Sequence, residues 1–484
     1  MCATLLLGLM PGAAHAQNLR YSNHREVEIP DYALLRIGPF YSSLAFSQTA
    51  GWRWSRSRGA GTDYLSDNRY GAIREDGTEF PLVSVLTMRN YLLLSRRADV
   101  DLSVSAMYAY FPRGTEDSGW QVFLPEEGIS AGLSSEFRFT PFVKGTIFDN
   151  ILYRTDFVDT RGLGDRYGGQ KFEYFNNLAG VNMDWLMAKD QNMAVSFSRE
   201  DMLPRDDEFA DQERVSYTET AMYQYQFLSG LVLGAGASYV QHYYASTGRS
   251  DVALQNYFVN IGFALGRESG AQFRLTRATT GTLRLGYAVA AQASRAGSSG
   301  NSDEVVTPGD TTQGSLALEA KLETDVSKEF KQTISFSKGL RNGFASSVEE
   351  YEQWTYRLGW QRNETSSAIW TTLASADPEG GLSTRYSDWS SGVNLSAPIV
   401  RGVSMYASSV YSDRINLAET SEGLPLESTA DYVTWTSTVG IRVPVTKSIN
   451  FVADASHVER ISGEDDLAYV RDVASATFTY TKQF

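Results

Sequence analysis

Histidine is the residue type of this sequence best suited to acid–base chemistry, and beyond residue 16 it occurs as His24, His242 and His457. A hydrolytic site would need one of them beside a serine nucleophile or an acidic pair. His242 and His457 each lie at the end of a predicted strand, where an interface or loop histidine is the favoured interpretation. We find no Walker loop, zinc-ligand spacing or glycine-rich dinucleotide turn. The sequence therefore predicts no enzyme, no metal and no cofactor.

A cluster of acidic residues in one predicted loop is a second candidate for chemistry. The cluster consists of Glu200, Asp201, Asp206, Asp207, Glu208, Asp211 and Glu213. Carboxylate oxygens could bind calcium, but the spacing matches neither an EF-hand nor a calcium-binding repeat. Arginines are interspersed with the carboxylates, so a solvated charged loop is the favoured interpretation.

Charged residues at alternating positions of predicted strands form a third set. A charge near the middle of a membrane costs ~2–4 kcal/mol, so these side chains must face water inside a closed barrel. They could create a field for small solutes, line a path for an acidic polymer, or pair with one another across the wall. The candidate pore-lining residues are Arg53, Arg89, Arg138, Arg154, Asp184, Arg284, Arg357 and Arg442, accompanied by Glu136, Asp156 and Glu319.

Alternation with a period of two residues is the pattern that would position these side chains. In the segment 102–110, apolar residues at even positions alternate with serine, methionine and alanine at odd positions. The segments 179–187, 231–239 and 354–360 repeat the pattern. Strict alternation is typical of β-strands with one apolar face, so we predict a fold built from strands.

Membrane chemistry requires these strands to close into a barrel. In hydrocarbon every backbone N–H and C=O needs a partner, and only a sheet without edges supplies one for each. We predict an all-β fold, a transmembrane antiparallel up-and-down β-barrel of about 20 strands (roughly 18–22), surrounded by outer-membrane lipid. An even strand number places both ends of the chain in the periplasm.

The predicted connections alternate between short and long, as expected for short periplasmic turns and long extracellular loops. The short turns are 96–99, 140–144, 188–192, 228–230, 327–329, 363–366, 398–401 and 445–448. The long loops run through 56–78, 111–127, 160–171, 200–213, 293–313, 376–386, 412–429 and 459–467. Gly266–Gly281 occupies a short-turn position but is too long for one, and hidden parts of two strands are one explanation.

The first residues have the pattern of a secretory signal. A short leucine-rich core is followed by Ala14-His15-Ala16, which matches an Ala-x-Ala cleavage site. Cys2 is the only cysteine and would leave with the signal, so no disulfide or thiolate site would remain. The predicted divisions are a signal peptide at 1–16, a periplasmic or lumenal lead-in at 17–40 and an outer-membrane barrel at 41–484.

Composition excludes two other classes of protein. The formal net charge is −14, whereas a surface that binds nucleic acid needs clustered lysine and arginine. Beyond the signal there is no run of ~18 apolar residues, so the sequence predicts no transmembrane helix. Aromatic residues make up 12% of the chain, and tyrosine and tryptophan recur near the ends of predicted strands. This distribution is typical of the aromatic girdles of outer-membrane barrels.

The C-terminal residues alternate in the same way. Phe478, Tyr480 and the terminal Phe484 resemble the signal that outer-membrane proteins present to the barrel-assembly machinery. Lys482 stands where an apolar residue is usual, and its stem could extend along the membrane interface. We therefore expect the barrel-assembly machinery to be a partner of the last strand.

Several short motifs resemble the β-barrel porin type 2 family. They are Leu35-Arg36-Ile37-Gly38-Pro39-Phe40, Ser66-Asp67-Asn68, Thr276-Arg277 through Gly281, Arg284-Leu285-Gly286-Tyr287 and Arg357-Leu358-Gly359-Trp360. The resemblance extends over most of the chain in layout. It implies an outer-membrane barrel often encoded with exopolysaccharide synthesis and export genes. Such a barrel would be the final conduit for a polymer and would work with a periplasmic polysaccharide-export protein.

The residues themselves leave two other functions open. The same barrel physics permits a porin for passive diffusion of small solutes. A structural or adhesive barrel whose loops bind surfaces is a third class, for which the sequence has no distinguishing feature. Glycosyltransferase and export genes nearby would favour polymer export, whereas conductance in planar bilayers would favour the porin.

Overall fold

A computed structural model shows that the chain forms an antiparallel sheet closed into a barrel, with a separate two-stranded sheet of Ser66–Asp67 and Gly71–Ala72. Twenty strands, β1–β20, make up the barrel wall. This confirms the predicted all-β barrel and its strand number. The structure describes residues 35–58, 66–67, 71–72, 77–110, 119–120, 130–157, 171–205, 207–228, 230–246, 251–265, 279–293, 311–342, 348–379, 385–400, 402–417, 431–463 and 468–483.

The strands are long and follow one another around the wall in chain order. In order, β1–β10 are Phe40–Arg58, Leu82–Ser95, Ala98–Tyr110, Ser130–Thr140, Val143–Phe157, Lys171–Ala188, Gln191–Pro204, Arg214–Leu228, Leu231–Tyr244 and Asp251–Leu265. Likewise, β11–β20 are Thr279–Ala293, Thr311–Asp325, Phe330–Arg341, Val348–Arg362, Thr365–Glu379, Arg385–Val400, Val403–Leu417, Tyr432–Pro444, Ile449–Ser462 and Tyr469–Gln483. Shorter segments outside this set are Leu35–Ile37, Ser66–Asp67, Gly71–Ala72, Gly77–Glu79 and Gly119–Trp120.

Pairing between the first and last strands closes the barrel. The register runs from Ala45 opposite Gln483 to Arg58 opposite Val470. On its other side β1 pairs with β2, and each later strand pairs with its predecessor. Closure gives the backbone of the wall the hydrogen bonds that a membrane interior could not otherwise supply.

Side-chain exposure follows the predicted alternation. Large apolar residues on one face of each strand are solvent-exposed, as Val259 (51%) and Ile369 (54%) illustrate. The neighbouring positions point to the opposite face, which lines the lumen. An apolar exterior of this extent is unfavourable in water but suited to lipid.

One end of the barrel is formed by tight turns, several of which need unusual backbone angles. Gly230 and Gly402 adopt φ angles of 94° and 80°, and Asn363 adopts 54°. Glycine and asparagine tolerate this left-handed region, which short hairpin turns require. We call this end of the barrel the short-turn end and the opposite end the long-loop end.

Several strands extend further towards the long-loop end than the sequence predicted. The loops predicted to start at Glu200, Ala376 and Ser412 start only after Pro204, Glu379 and Leu417. The prediction ended each strand where polar residues begin. Backbone pairing does not depend on apolar side chains, so the strands continue beyond the apolar belt.

Some predictions concern residues that lie outside the described ones. These are the signal at 1–16, most of the lead-in at 17–40, most of Gly266–Gly281 and the terminal Phe484. Among the residues that the structure describes, no helix is long and apolar enough to cross a membrane.

Candidate functional site

The inner wall of the barrel is the candidate site, and strand register defines its membership. On β11 the exposed side chains of Leu285 and Tyr287 mark the outer face. Arg284 lies between the outer positions and directly opposite Glu319 of β12. Applied strand by strand, this register assigns the described residues of the wall to the outer or the inner face.

The predicted pore-lining residues fall on inner positions, but their exposure differs. Arg89, Arg357 and Arg442 are exposed to the lumen, all in the halves of their strands nearer the short turns. Arg53 is buried at 2% exposure on β1. Arg138, Asp184 and Arg284 are half-buried. Arg154 and Asp156 are in β5, at positions whose side chains lie outside the described part of the structure.

Carboxylates near the short-turn end lie between pairs of cations. The Oε1 and Oε2 atoms of Glu323 are each 2.7 Å from a lysine Nζ, that of Lys321 and that of Lys331 respectively. In a second cluster on β4 and β5, Glu136 lies 2.6 Å from Arg138 Nε and 2.7 Å from Lys144 Nζ. Each cluster therefore carries one more positive charge than negative. Charge-assisted hydrogen bonds of this length fix the side chains against the wall.

Arg284 combines an ion pair with a ring contact. Its Nη1 atom lies 3.0 Å from Glu319 Oε2 on the adjacent strand. Its guanidinium carbon lies 4.4 Å from the centroid of the Phe258 ring. Arg284 is thus held by β10 and β12 together. Cross-wall pairing was one of the alternatives left open for the inner charges, and Arg284 adopts it.

Towards the long-loop end, arginines and tyrosines line the inner wall from β13 to β20, with none of the set on β15. The Arg414 guanidinium lies 3.9 Å from the Tyr386 ring centroid, and Arg460 lies 4.4 Å from that of Tyr432. Arg414 is only 2% exposed. Desolvated cation–π contacts contribute about 2 kcal/mol each. We call the set the arginine–tyrosine belt; it comprises Arg341, Arg414, Arg460, Tyr351, Tyr386, Tyr432 and Tyr469.

At the long-loop end β13 separates from β12 and packs inside the barrel together with the adjoining end of β14, which stays paired with β15 along its full length. In the described register, β12 pairs with β13 only from Asp325 up to Leu318. Above this point Leu340 and Val348 pack in one buried cluster with inner residues of β9, β10 and β11. These partners are Tyr244, Val252, Ala288 and Ala290. We call residues 338–342 and 348–352 the inner hairpin.

Polar contacts hold the inner hairpin on both sides. Asn342 Nδ2 donates to Tyr244 Oη of β9 at 2.6 Å. Ser315 Oγ of β12 donates to Glu350 Oε1 at 2.7 Å. Arg341 forms an ion pair with Glu349 and donates to Tyr386 Oη at 3.4 Å. The wall is therefore two layers thick here, and the hairpin narrows the lumen.

A serine and a histidine meet on the inner face of β8 and β9. Ser216 Oγ lies 2.7 Å from His242 Nδ1, and both side chains are held within the wall. Of the two predicted positions for His242, an interface or a loop, the loop is wrong, since β9 runs to Tyr244. A nucleophilic serine needs an oriented base and must itself be accessible to a substrate. Ser216 is only 3% exposed, so its contact with His242 does not form an accessible nucleophile.

The remaining candidates for chemistry are His457 and the acidic cluster, and they do not come together in one site. His457 is on the outer face, with Nδ1 2.7 Å from Asp472 Oδ1. Glu200 and Asp201 belong to β7 and not to a loop. Glu200 accepts from Asn176 on the inner face, and Asp201 pairs with Arg199 on the outer face. Asp207, Glu208 and Asp211 lie in a short 3₁₀-helix, Asp207–Gln212, between β7 and β8, and Glu213 follows it. The described part of the acidic cluster is thus divided among the two faces of the wall and the connection between these strands.

Sequence reasoning missed the inner hairpin and the arginine–tyrosine belt. A signal for the hairpin was present in the segment 288–291, where both faces of β11 are apolar. An inner position that faces water has no reason to be apolar, so such a segment indicates cover from inside. The belt has a weaker signal, namely tyrosines at inner positions near the long-loop ends of strands.

Comparison with known proteins gives no family. No protein-family model matches the chain, and no curated protein matches it. The resemblance to the β-barrel porin type 2 family therefore stays a prediction.

Solved structures with a similar barrel are found at low sequence identity. Pseudomonas aeruginosa OpdL is 9% identical with a TM-score of 0.41, over 92% of this chain and 99% of that one. A BenF-like porin from Pseudomonas fluorescens Pf-5 is 9% identical with a TM-score of 0.44, over 93% and 100%. The siderophore receptor PirA from Pseudomonas aeruginosa is 8% identical with a TM-score of 0.48, over 90% and 80%. Likeness at this level does not assign a function.

Proposed function

We propose that this chain is an outer-membrane channel for passive diffusion of small hydrophilic solutes. The observation that carries the proposal is the division of one closed sheet into an apolar outer face and a charged inner face. Lipid contact accounts for exposed outer residues such as Val259 and Ile369. A water-filled lumen accounts for exposed inner residues such as Arg357 and Arg442. In this orientation the short turns face the periplasm and the long loops face outwards.

The inner hairpin supports a channel for small solutes. Leu340 and Val348 are 8% and 0% exposed because they pack on the inner wall. A layer added inside the barrel reduces the cross-section available to a solute. Pore diameter and the charges that line it are the two properties by which channels select their cargo.

Planar-bilayer recording of the purified, refolded chain tests the proposal. We expect stepwise conductance, and we expect liposomes containing the protein to admit small sugars faster than large ones. Val393 and Asn394 provide matched variants, because Val393 lies on the outer face at 43% exposure and Asn394 is the adjacent, exposed inner residue. Val393→Arg should impair insertion at a cost of about 2–4 kcal/mol, whereas Asn394→Arg should insert and conduct.

Two outcomes would contradict the proposal. One is a folded, inserted barrel that conducts no small ions. The other is equal insertion of Val393→Arg and Asn394→Arg, which would mean that the two faces do not differ in environment.

Export of an exopolysaccharide stays a prediction based on the sequence resemblance. No contact or pattern among the described residues specifically favours a polymer, and no comparison links the chain to one. Deletion of the gene, followed by assays of both secreted polymer and solute uptake, separates the two functions. Loss of polymer with unchanged solute uptake would favour export.

A further inference from the structure

We infer that the lumen prefers anionic solutes, namely small molecules that carry a carboxylate or phosphate group. This inference rests on the proposed function and names the class of solute that the channel favours. It follows from a difference in exposure between the cations and the carboxylates of the inner wall.

The exposed charges on the described inner wall are almost all positive. The exposed cations are Arg89, Lys321, Lys331, Arg357 and Arg442. The one exposed inner carboxylate of the described strands is Asp325, at the last position of β12 before its turn. The other described inner carboxylates are buried or half-buried; they are Asp99, Asp101, Glu136, Asp184, Glu200, Glu319, Glu323, Glu349, Asp388 and Asp454.

Local contacts explain why the carboxylates of the inner wall are less exposed to the lumen than the cations. Asp99 accepts from Tyr91 Oη at 2.9 Å and from the backbone N–H of Glu136 at 2.9 Å. Glu323 and Glu136 each lie between two cations. The charges of Glu323 and Glu136 are therefore compensated by cations at the wall, and Asp99 is held there by neutral hydrogen-bond donors. Lys321 and Lys331 keep 55% and 57% of their side-chain surface exposed even while paired.

The exposed cations are distributed around the circumference. Arg89 is on β2, Lys321 and Lys331 are on β12 and β13, Arg357 is on β14 and Arg442 is on β18. All five lie in the halves of their strands nearer the short-turn end. A solute that crosses this part of the lumen thus meets positive charge from several sides.

A narrow lumen strengthens the effect of these charges. Low-dielectric walls focus the field of the groups that line a cleft and raise the local concentration of ions of opposite sign. Rings of arginine and lysine are the usual means by which a pore selects anions or phosphate. The guanidinium group also offers paired N–H donors that fit a carboxylate or a phosphate.

The reversal potential of the intact channel in a KCl gradient tests the inference. Wild-type protein should show a chloride-to-potassium permeability ratio above one. The variant Arg89→Gln/Arg357→Gln/Arg442→Gln should still conduct while the ratio falls towards one, with Lys321 and Lys331 as the remaining exposed cations. Replacement of chloride by acetate or by inorganic phosphate distinguishes the two anion chemistries, because each gives its own permeability.

Three outer arginines provide a control with the same change in net charge. Arg56, Arg199 and Arg385 lie on outer positions of β1, β7 and β16 and are exposed. The variant Arg56→Gln/Arg199→Gln/Arg385→Gln should retain the wild-type permeability ratio. If the inner triple variant does not fold, Arg357→Gln alone should lower the ratio and Asn394→Gln should not.

The outcomes separate this inference from the proposed function. A conducting wild-type channel that prefers potassium, or an inner triple variant with an unchanged ratio, overturns the anion preference alone. An inserted wild-type barrel without conductance overturns the proposed function and the inference together.

Discussion

The inner wall has two regions that use the same alternation for opposite purposes. Near the short turns, inner positions carry Arg89, Arg357 and Arg442, which are exposed. Near the long loops, the inner positions of β10 and β11 carry Val252 and Ala290, which are 0% and 1% exposed under the inner hairpin. The inner face of this barrel is therefore not uniformly in contact with water. Inner side chains are charged where water lies against the wall and apolar where another part of the chain covers it.

The largest expected effect comes from charging the covered region. Val348→Asp places a carboxylate in the apolar cluster, and an unpaired buried charge costs several kcal/mol. We expect the inner hairpin to detach from the inner face of β9–β11 and single-channel conductance to rise on the order of twofold, because diameter limits ion flow. Val348→Ile is the control and should conduct like wild type. Unchanged conductance in Val348→Asp would mean that the hairpin does not narrow the lumen.

A smaller effect should follow from loosening the same hairpin by one hydrogen bond. Tyr244→Phe removes the acceptor of the 2.6 Å bond from Asn342, a loss of about 1 kcal/mol. We expect brief higher-conductance events to become roughly fivefold more frequent, which is the corresponding change in an equilibrium constant. Tyr287→Phe, on the outer face at 54% exposure, should leave the event frequency unchanged. Equal frequencies in both variants would show that this bond does not hold the hairpin.

The smallest effect is expected from a substitution in the exposed inner wall near the short turns, where one carboxylate lies between two cations. Glu323→Gln removes the charge between Lys321 and Lys331. The chloride-to-potassium permeability ratio should rise by roughly half, because the lumen gains one net positive charge. Glu219→Gln, at an exposed position on the outer face of β8, is the matched control. A ratio that falls in Glu323→Gln would contradict the assignment of the lysines to the conducting path.

The inner wall near the short turns could be predicted from the sequence, whereas the part covered by the inner hairpin could not. The reason is physical. Alternation is a local property, so it assigned Arg357 to the inner face from its neighbours Tyr356 and Leu358 alone. The inner hairpin depends on contacts between β13–β14 and strands that are distant in the chain. Periodicity carries no information about such contacts. The run of apolar residues at 288–291 shows only that something covers the segment.

Strand ends were the other feature that local patterns placed wrongly. Polar residues such as Glu200 and Asp201 suggested a loop, although β7 continues to Pro204. The change from apolar to polar side chains on the outer face marks the edge of the lipid. The end of a strand instead depends on where backbone pairing stops. In this barrel the two limits differ by several residues at the long-loop end.

Thiol accessibility along β14 tests the central claim most directly. In a Cys2→Ser background the chain has no other cysteine, so each introduced thiol reports alone. After reconstitution into liposomes, cysteines at Thr355 and Arg357 should react with a charged, water-soluble maleimide. Cysteines at Trp354 and Tyr356, which are 47% and 37% exposed on the outer face, should remain unmodified within lipid. Uniform labelling of all four positions, or the reverse pattern, would contradict a water-filled barrel with a lipid-facing exterior.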